Sequence, residues 1–116
     1  MITKEMAKIN WDILTSSKIN NLVRGLNPFM GAYSLLNGKK IKLWSIRIGG
    51  QELFREEILQ KAEPGEILLS DSKKGLYIKT IDGVISVLEI QEENAKRMGI
   101  LDFLRGKKIE ENIKFE

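Results

Sequence analysis

Apolar positions repeat first with a helical period and then with a strand period. Ile19, Leu22, Val23 and Leu26 fall at i, i+3, i+4 and i+7, which is one face of a helix. Thr15 or Ser16 can cap its start. Asn27-Pro28 ends it, because the residue before proline is pushed out of the α region. The pattern therefore predicts a helix from about Ser16 to Leu26. Two apolar runs follow, Ala32–Leu36 and Lys39–Ile48, separated by Asn37-Gly38, a strong hairpin signal because both turn positions need positive φ. Within the second run the alternation slips. Ile41 and Leu43 share one face, while Trp44, Ile46 and Ile48 share the other. A bulge near Leu43–Ser45 reconciles the two sets. Gly49-Gly50 then breaks the strand.

Residues 51–63 fit either a helical turn or two, from Leu53, Phe54, Ile58 and Leu59, or a structured loop. Pro64-Gly65 marks a turn. Beyond it, Glu66–Ser70, Gly75–Ile81 and Gly83–Ile90 read as short strands, separated by turn chemistry at Asp71-Ser72-Lys73-Lys74 and Asp82-Gly83. Ile100, Leu101, Phe103 and Leu104 predict a short helix closed by Gly106. No strand–helix–strand unit is present to build a parallel sheet. The fold class is therefore mainly β: a small OB-like Greek-key barrel with one leading helix and a short C-terminal helix, forming a single domain over residues 1–116.

Composition narrows the chemistry. The 116 residues include no Cys and no His. That excludes a disulfide framework, a Cys/His zinc site, a thiol nucleophile and a histidine general base. No apolar run reaches the roughly 18–20 residues needed to span a bilayer. The Lys4-Glu5 pair stands where the apolar stretch of a secretory signal would begin. These features predict a cytoplasmic protein with no membrane partner. No catalytic, cofactor-binding or metal site is expected in this chain. It contains no GxGxxG or P-loop pattern, and its paired glutamates point apart on any regular element.

The net charge of +3 is unevenly spread. Residues 1–50 carry +6, residues 51–70 carry −3, residues 71–91 balance, residues 92–108 carry +2 and residues 109–116 carry −2. Two basic segments thus bracket neutral and acidic ones. If the fold brings them together, they form a patch suited to a polyanion. Three constellations bear on this. Lys40, Lys42 and Trp44 share one side of their strand if no bulge intervenes. The indole, in phase with Ile46 and Ile48, reads as core, which leaves the lysines for phosphate. Arg24-Gly25-Leu26-Asn27-Pro28-Phe29 reads as a structural corner. Lys96-Arg97-Met98 and Arg105-Gly106-Lys107-Lys108 cluster cations around the short final helix.

An ordered series of short motifs runs from about Ile9 to Lys108. It comprises Ile9-Asn10-Trp11-Asp12, Val23 to Pro28, Gly31-Ala32-Tyr33, Leu36 to Trp44, Pro64-Gly65, Asp82-Gly83, Leu88 to Gln91, Lys96-Arg97-Met98 and Asp102 to Gly106. In order and spacing this series resembles the C-terminal domain of methionyl-tRNA formyltransferases. The resemblance implies an OB-like barrel. It also implies a separate N-terminal Rossmann-like domain that binds 10-formyltetrahydrofolate and carries the catalytic Asn, His and Asp. That domain, absent from this chain, transfers formyl to the amino group of methionine on initiator tRNA.

In that family the C-terminal domain supplies positive charge that holds the tRNA backbone without reading sequence. The candidate phosphate contacts are Lys39, Lys40, Lys42, Arg47, Lys96, Arg97, Lys107 and Lys108. The sequence departs from the family at Phe29-Met30, where Trp-Pro is common, and at Asn10, where Asp is usual. The acidic segment 51–63 would oppose an RNA backbone lying near it. Two other classes remain open: the C-terminal scaffold of a related folate-dependent formyltransferase or hydrolase acting on a small molecule such as a nucleotide sugar, and a purely structural or oligomerising barrel.

Overall fold

The computed structural model describes residues 7–26 and 30–116. The Asn27-Pro28-Phe29 corner and the Lys4-Glu5 pair lie outside them. Helix α1 spans Ser16–Leu26, as its apolar period predicts, and buries Ile19, Val23 and Leu26. Each such side chain contributes about 1.5–3 kcal/mol on leaving water. Both expected capping residues are used, in different ways. The Thr15 hydroxyl accepts the Lys18 amide at 3.2 Å. Ser16 reaches across the fold: its amide donates to Asp82 Oδ1 at 2.9 Å, and its hydroxyl meets Asp82 Oδ1 at 3.0 Å and Thr80 Oγ1 at 2.7 Å. Asp82 thus caps the helix from a distant loop. The Ser16 amide is the largest influence holding its carboxyl below the ordinary aspartate range, against a smaller opposing effect of desolvation.

Strands β1 (Ala32–Leu36) and β2 (Lys39–Ile48) form the hairpin that Asn37-Gly38 signals, with both turn residues at positive φ. β3 (Ile67–Asp71), β4 (Gly75–Lys79) and β5 (Val84–Glu92) follow as an antiparallel meander, and β5 returns to pair with β2. The order β1-β2-β5-β4-β3 is a Greek key, since β2 reaches the meander by a long connection and lies beside its last strand. A two-residue sixth strand, β6 (Met98–Gly99), pairs with β5 and leads into α3 (Ile100–Gly106). The predicted strand ends shift at β4, which stops at Lys79. There the Thr80 amide turns to the Gly83 carbonyl, and Ile81 is left exposed in the loop.

The bulge falls where the alternation slips, with register shifts between Leu43 and Ser45 and between Ser45 and Ile46. One consequence differs from the pattern. Ile48, in phase with Trp44 and Ile46 by sequence, is 45% exposed. Pairing is regular from Ile46 to Ile48, so it keeps the face of Ile46 and is left uncovered as the last residue of the strand. Residues 51–63 take the helical option, as a 3-10 turn over Gln51–Leu53 and helix α2 over Glu56–Lys61, and neither buries a residue.

The edges of the sheet are covered by segments that no pattern predicted. Along β1, Tyr33 exchanges backbone bonds with Ala7 and Ile9, and Leu35 exchanges them with Glu116. The free edge of β3 is met by the same C-terminal segment, through Ile67 with Asn112 and Ile113 and through Gly65 with Phe115. Residues 112–116 therefore bridge the two end strands and make the sheet barrel-like, which removes exposed edges. Phe115 is fully buried against Trp11, with ring centroids 5.9 Å apart. The Trp11 indole donates to Ser34 Oγ, which in turn donates to the Glu116 carbonyl. The core is one contiguous cluster running from Ala7 to Phe115 through α1, the strands and α3.

Candidate nucleic-acid interface

Antiparallel pairing places Tyr33, Lys42 and Gln91 in one row across β1, β2 and β5, with Leu35 beside Lys40 in the next row of the hairpin. Directly opposed residues share a face. Lys40 Nζ lies 4.5 Å from the centre of the Tyr33 ring. Lys42 Nζ lies 5.5 Å, and the Arg97 guanidinium carbon 4.7 Å, from the Trp44 ring. Trp44 is the residue pushed out of register at the bulge, and its indole donates to Gln91 Oε1 at 2.8 Å. It is buried, as its size suggests, but outside the contiguous core. Its cover comes from Lys42, Arg97 and Gly31, where an added Cβ would come within 3.0 Å of the ring. The bulge does intervene between the lysines and the indole, and it lays the ring beside them as a platform for cations.

The two basic segments meet at three places. The first is this Lys40–Lys42–Arg97 group, where Lys96 stands exposed next to Arg97 on the β5–β6 turn. The second is a cleft of about 210 Å³ that Lys39 shares with Lys107 and Lys108. The third is a groove of about 460 Å³ in which Arg47 of β2 faces Arg105 of α3 and Lys74 of the β3–β4 turn. Every predicted cation thus lies on one of these three surfaces. Arg105, part of the cation cluster read around the final helix, joins them, and so does Lys74, which no pattern singles out. Lys74 stands in a charge-balanced stretch that reads only as turn chemistry. That turn is held by Asp71, whose Oδ1 accepts the Lys73 amide at 2.7 Å and the Lys74 amide at 3.2 Å. Those amides hold the Asp71 carboxyl below its usual range, the Lys73 amide most.

Counter-ions divide the cations into two kinds. Arg97 grips Glu89 with two bonds, at 3.0 and 3.3 Å. Lys107 pairs with Glu92, and Arg105 with Asp102 at 3.2 Å. Among the described residues no carboxylate lies within ion-pair distance of Lys39, Lys40, Lys42, Arg47, Lys74, Lys96 or Lys108. The acids that do enter the basic surfaces are Glu89, Glu92, Glu93, Glu110 and Asp102. None comes from the acidic segment 51–63, which lies beside the Lys79–Gly83 loop instead.

A sequence model described as "Formyl transferase, C-terminal domain" matches residues 1–108. Methionyl-tRNA formyltransferase of Ruminiclostridium cellulolyticum is 38% identical over 95% of this chain and 33% of its own length. The enzyme of the same name from Caldanaerobacter subterraneus subsp. tengcongensis is 38% identical over 96% of the chain and 33% of its own. The chain thus spans about a third of the length of these relatives. Among solved structures, HypX from Aquifex aeolicus in complex with tetrahydrofolic acid superposes with a TM-score of 0.66 at 22% identity, over 96% of this chain and 19% of that one. At that identity the likeness concerns the fold.

Proposed function

The chain belongs to the formyl transferase C-terminal domain family, and from that premise we propose that it is the tRNA-holding domain of a methionyl-tRNA formyltransferase working in the cytoplasm. In this reading an N-terminal domain uses 10-formyltetrahydrofolate to formylate the methionine on initiator tRNA. With no histidine of its own, this domain contributes binding rather than chemistry. The observation that carries the reading is the convergence of the two basic segments, above all Lys40, Lys42 and Arg97 around Tyr33 and Trp44. Lysines without counter-ions on a pleated face suit a phosphate backbone. Arg97, stacked on an indole and pinned by Glu89, is held ready with little rotamer entropy left to lose. The contacts would be largely independent of sequence.

A salt titration of tRNA binding tests this. Log K should fall linearly with log salt, and the Lys40→Gln/Lys42→Gln variant should lower the slope by about 2. A flat salt dependence, or an unchanged slope in that variant, would overturn the role. Absence of binding even at low salt would favour a scaffold instead.

A further inference from the structure

The groove between the sheet and α3 has features that backbone neutralisation does not use. Its floor is a single row of the sheet, in which Arg47 of β2, Ser86 of β5 and Tyr77 of β4 are direct antiparallel partners. Their side chains therefore share the outer face at neighbouring positions. Arg105 and Leu101 border it from α3, and Lys74 closes the side at the β3–β4 turn. Ser86 is only 8% exposed and lines the floor of the groove. The Tyr77 ring is fixed: Phe54 meets it edge-on at 6.0 Å, and Gly50 backs it so closely that an added Cβ would fall 2.7 Å away. Leu101 leaves apolar surface at the rim. At about 460 Å³ the groove has the size of a small-ligand pocket.

We infer that this groove is a nucleoside-phosphate site, with the phosphate between Arg47, Lys74 and the Ser86 hydroxyl and the base against Tyr77 and Leu101. Three cations face a single carboxylate, Asp102, which is already engaged by Arg105. That balance favours a phosphate of one or two charges. Aromatic and leucine surface beside it favours a planar apolar body joined to that phosphate over a bare anion. The ligand could be a free nucleotide or an unpaired nucleotide of an RNA strand. The second source rests on the tRNA reading above, whereas the site itself does not.

Amide shifts of the ¹⁵N-labelled 116-residue chain test the assignment. Adenosine 5′-monophosphate should move the Tyr77, Ser86 and Leu101 amides saturably, whereas adenosine or inorganic phosphate alone should move them far less. Arg47→Gln/Lys74→Gln should weaken the effect about tenfold or more, and Ser86→Ala by a smaller factor. Unchanged amides elsewhere would show that these variants fold. Displacement of the mononucleotide by a short unstructured RNA identifies an RNA strand as the source, and failure to displace it identifies a free nucleotide. No saturable shift up to about 10 mM nucleotide would overturn the site. So would equal shifts with phosphate alone, or an unchanged affinity in the double variant. The salt titration of tRNA with the Lys40/Lys42 variant can fail or succeed independently of all of these.

Discussion

Phe115→Ala is the most direct probe of how this barrel holds together. The ring is fully buried and packs on Trp11. Removing a buried phenylalanine costs about 3–5 kcal/mol, from lost transfer energy plus the cavity left behind. That is a large share of the roughly 5–15 kcal/mol that stabilises a domain of this size. The loss should exceed the side chain's own share, because the 112–116 segment carries the closure. The amides of Leu35 and Ile67 donate to Glu116 and Ile113, and Leu35, Ile67 and Gly65 accept from the same segment. In urea, with m of roughly 1–3 kcal/mol/M, the midpoint should fall by at least about 1 M. Hydrogen exchange should accelerate at the Leu35 and Ile67 amides before it does in the centre of β5. A midpoint loss equivalent to under about 1 kcal/mol, with Leu35 and Ile67 still protected, would refute the idea that the C-terminal segment closes the barrel.

Other outcomes follow from particular contacts. Asp82→Asn should destabilise the fold by about 1 kcal/mol at neutral pH, since it weakens the cap on α1. The folded-state pKa of Asp82 is depressed, so its contribution is present above the ordinary aspartate value and lost as pH falls through the folded value. Urea midpoints of variant and parent should accordingly converge in acid, and a gap independent of pH would count against the charge-assisted cap. Gly50→Ala should cost about 1–3 kcal/mol, because φ is +112° and the new Cβ would strike the Tyr77 ring. The same variant should shift the Ser86 amide, and a silent thermal melt would contradict it. Glu92→Gln removes the partner of Lys107 and an acid from the hollow beside Lys40 and Lys42, so tRNA should bind several-fold tighter at low salt. Equal affinity in a filter-binding titration would show that this face does not meet the RNA.

Local pattern was enough wherever one element decides its own structure. The helical period of Ile19–Leu26, the Asn37-Gly38 hairpin and the slip at Leu43–Ser45 each locate an element correctly, because each is fixed by side-chain period or by a turn's φ requirement. The pattern failed where distant chain decides. Nothing local in Asn112–Glu116 reads as a strand, yet both end strands of the sheet depend on it. Ser16 reads as a local cap, but its amide and hydroxyl are both committed to the Thr80–Asp82 loop. Ile48 follows the core phase of Trp44 and Ile46, but as the last residue of its strand it is left uncovered.

The candidate interface shows the same division with a sharper consequence. Charge arithmetic identifies the basic segments, and the fold then sorts their cations by company, which no count can do. Lys107 and Arg97 look equivalent to Lys40 in sequence, yet each holds a carboxylate while Lys40 holds only an aromatic face. An exposed pair is worth little to stability, on the order of 0–1 kcal/mol, so these pairs are better understood as fixing where a guanidinium or ammonium points. The free lysines supply the charge that phosphate would neutralise, and the paired arginine supplies a fixed direction beside them. Arg47 also has no carboxylate partner among the described residues, but it lies on another surface. Its strand position sets it beside Ser86 and Tyr77 rather than beside Lys42, because it stands five residues further along β2, beyond the slip between Leu43 and Ile46. The slip that turns Ile46 into the core thus turns Arg47 outward, onto a surface whose ligand chemistry differs from that of the Lys40–Lys42 row.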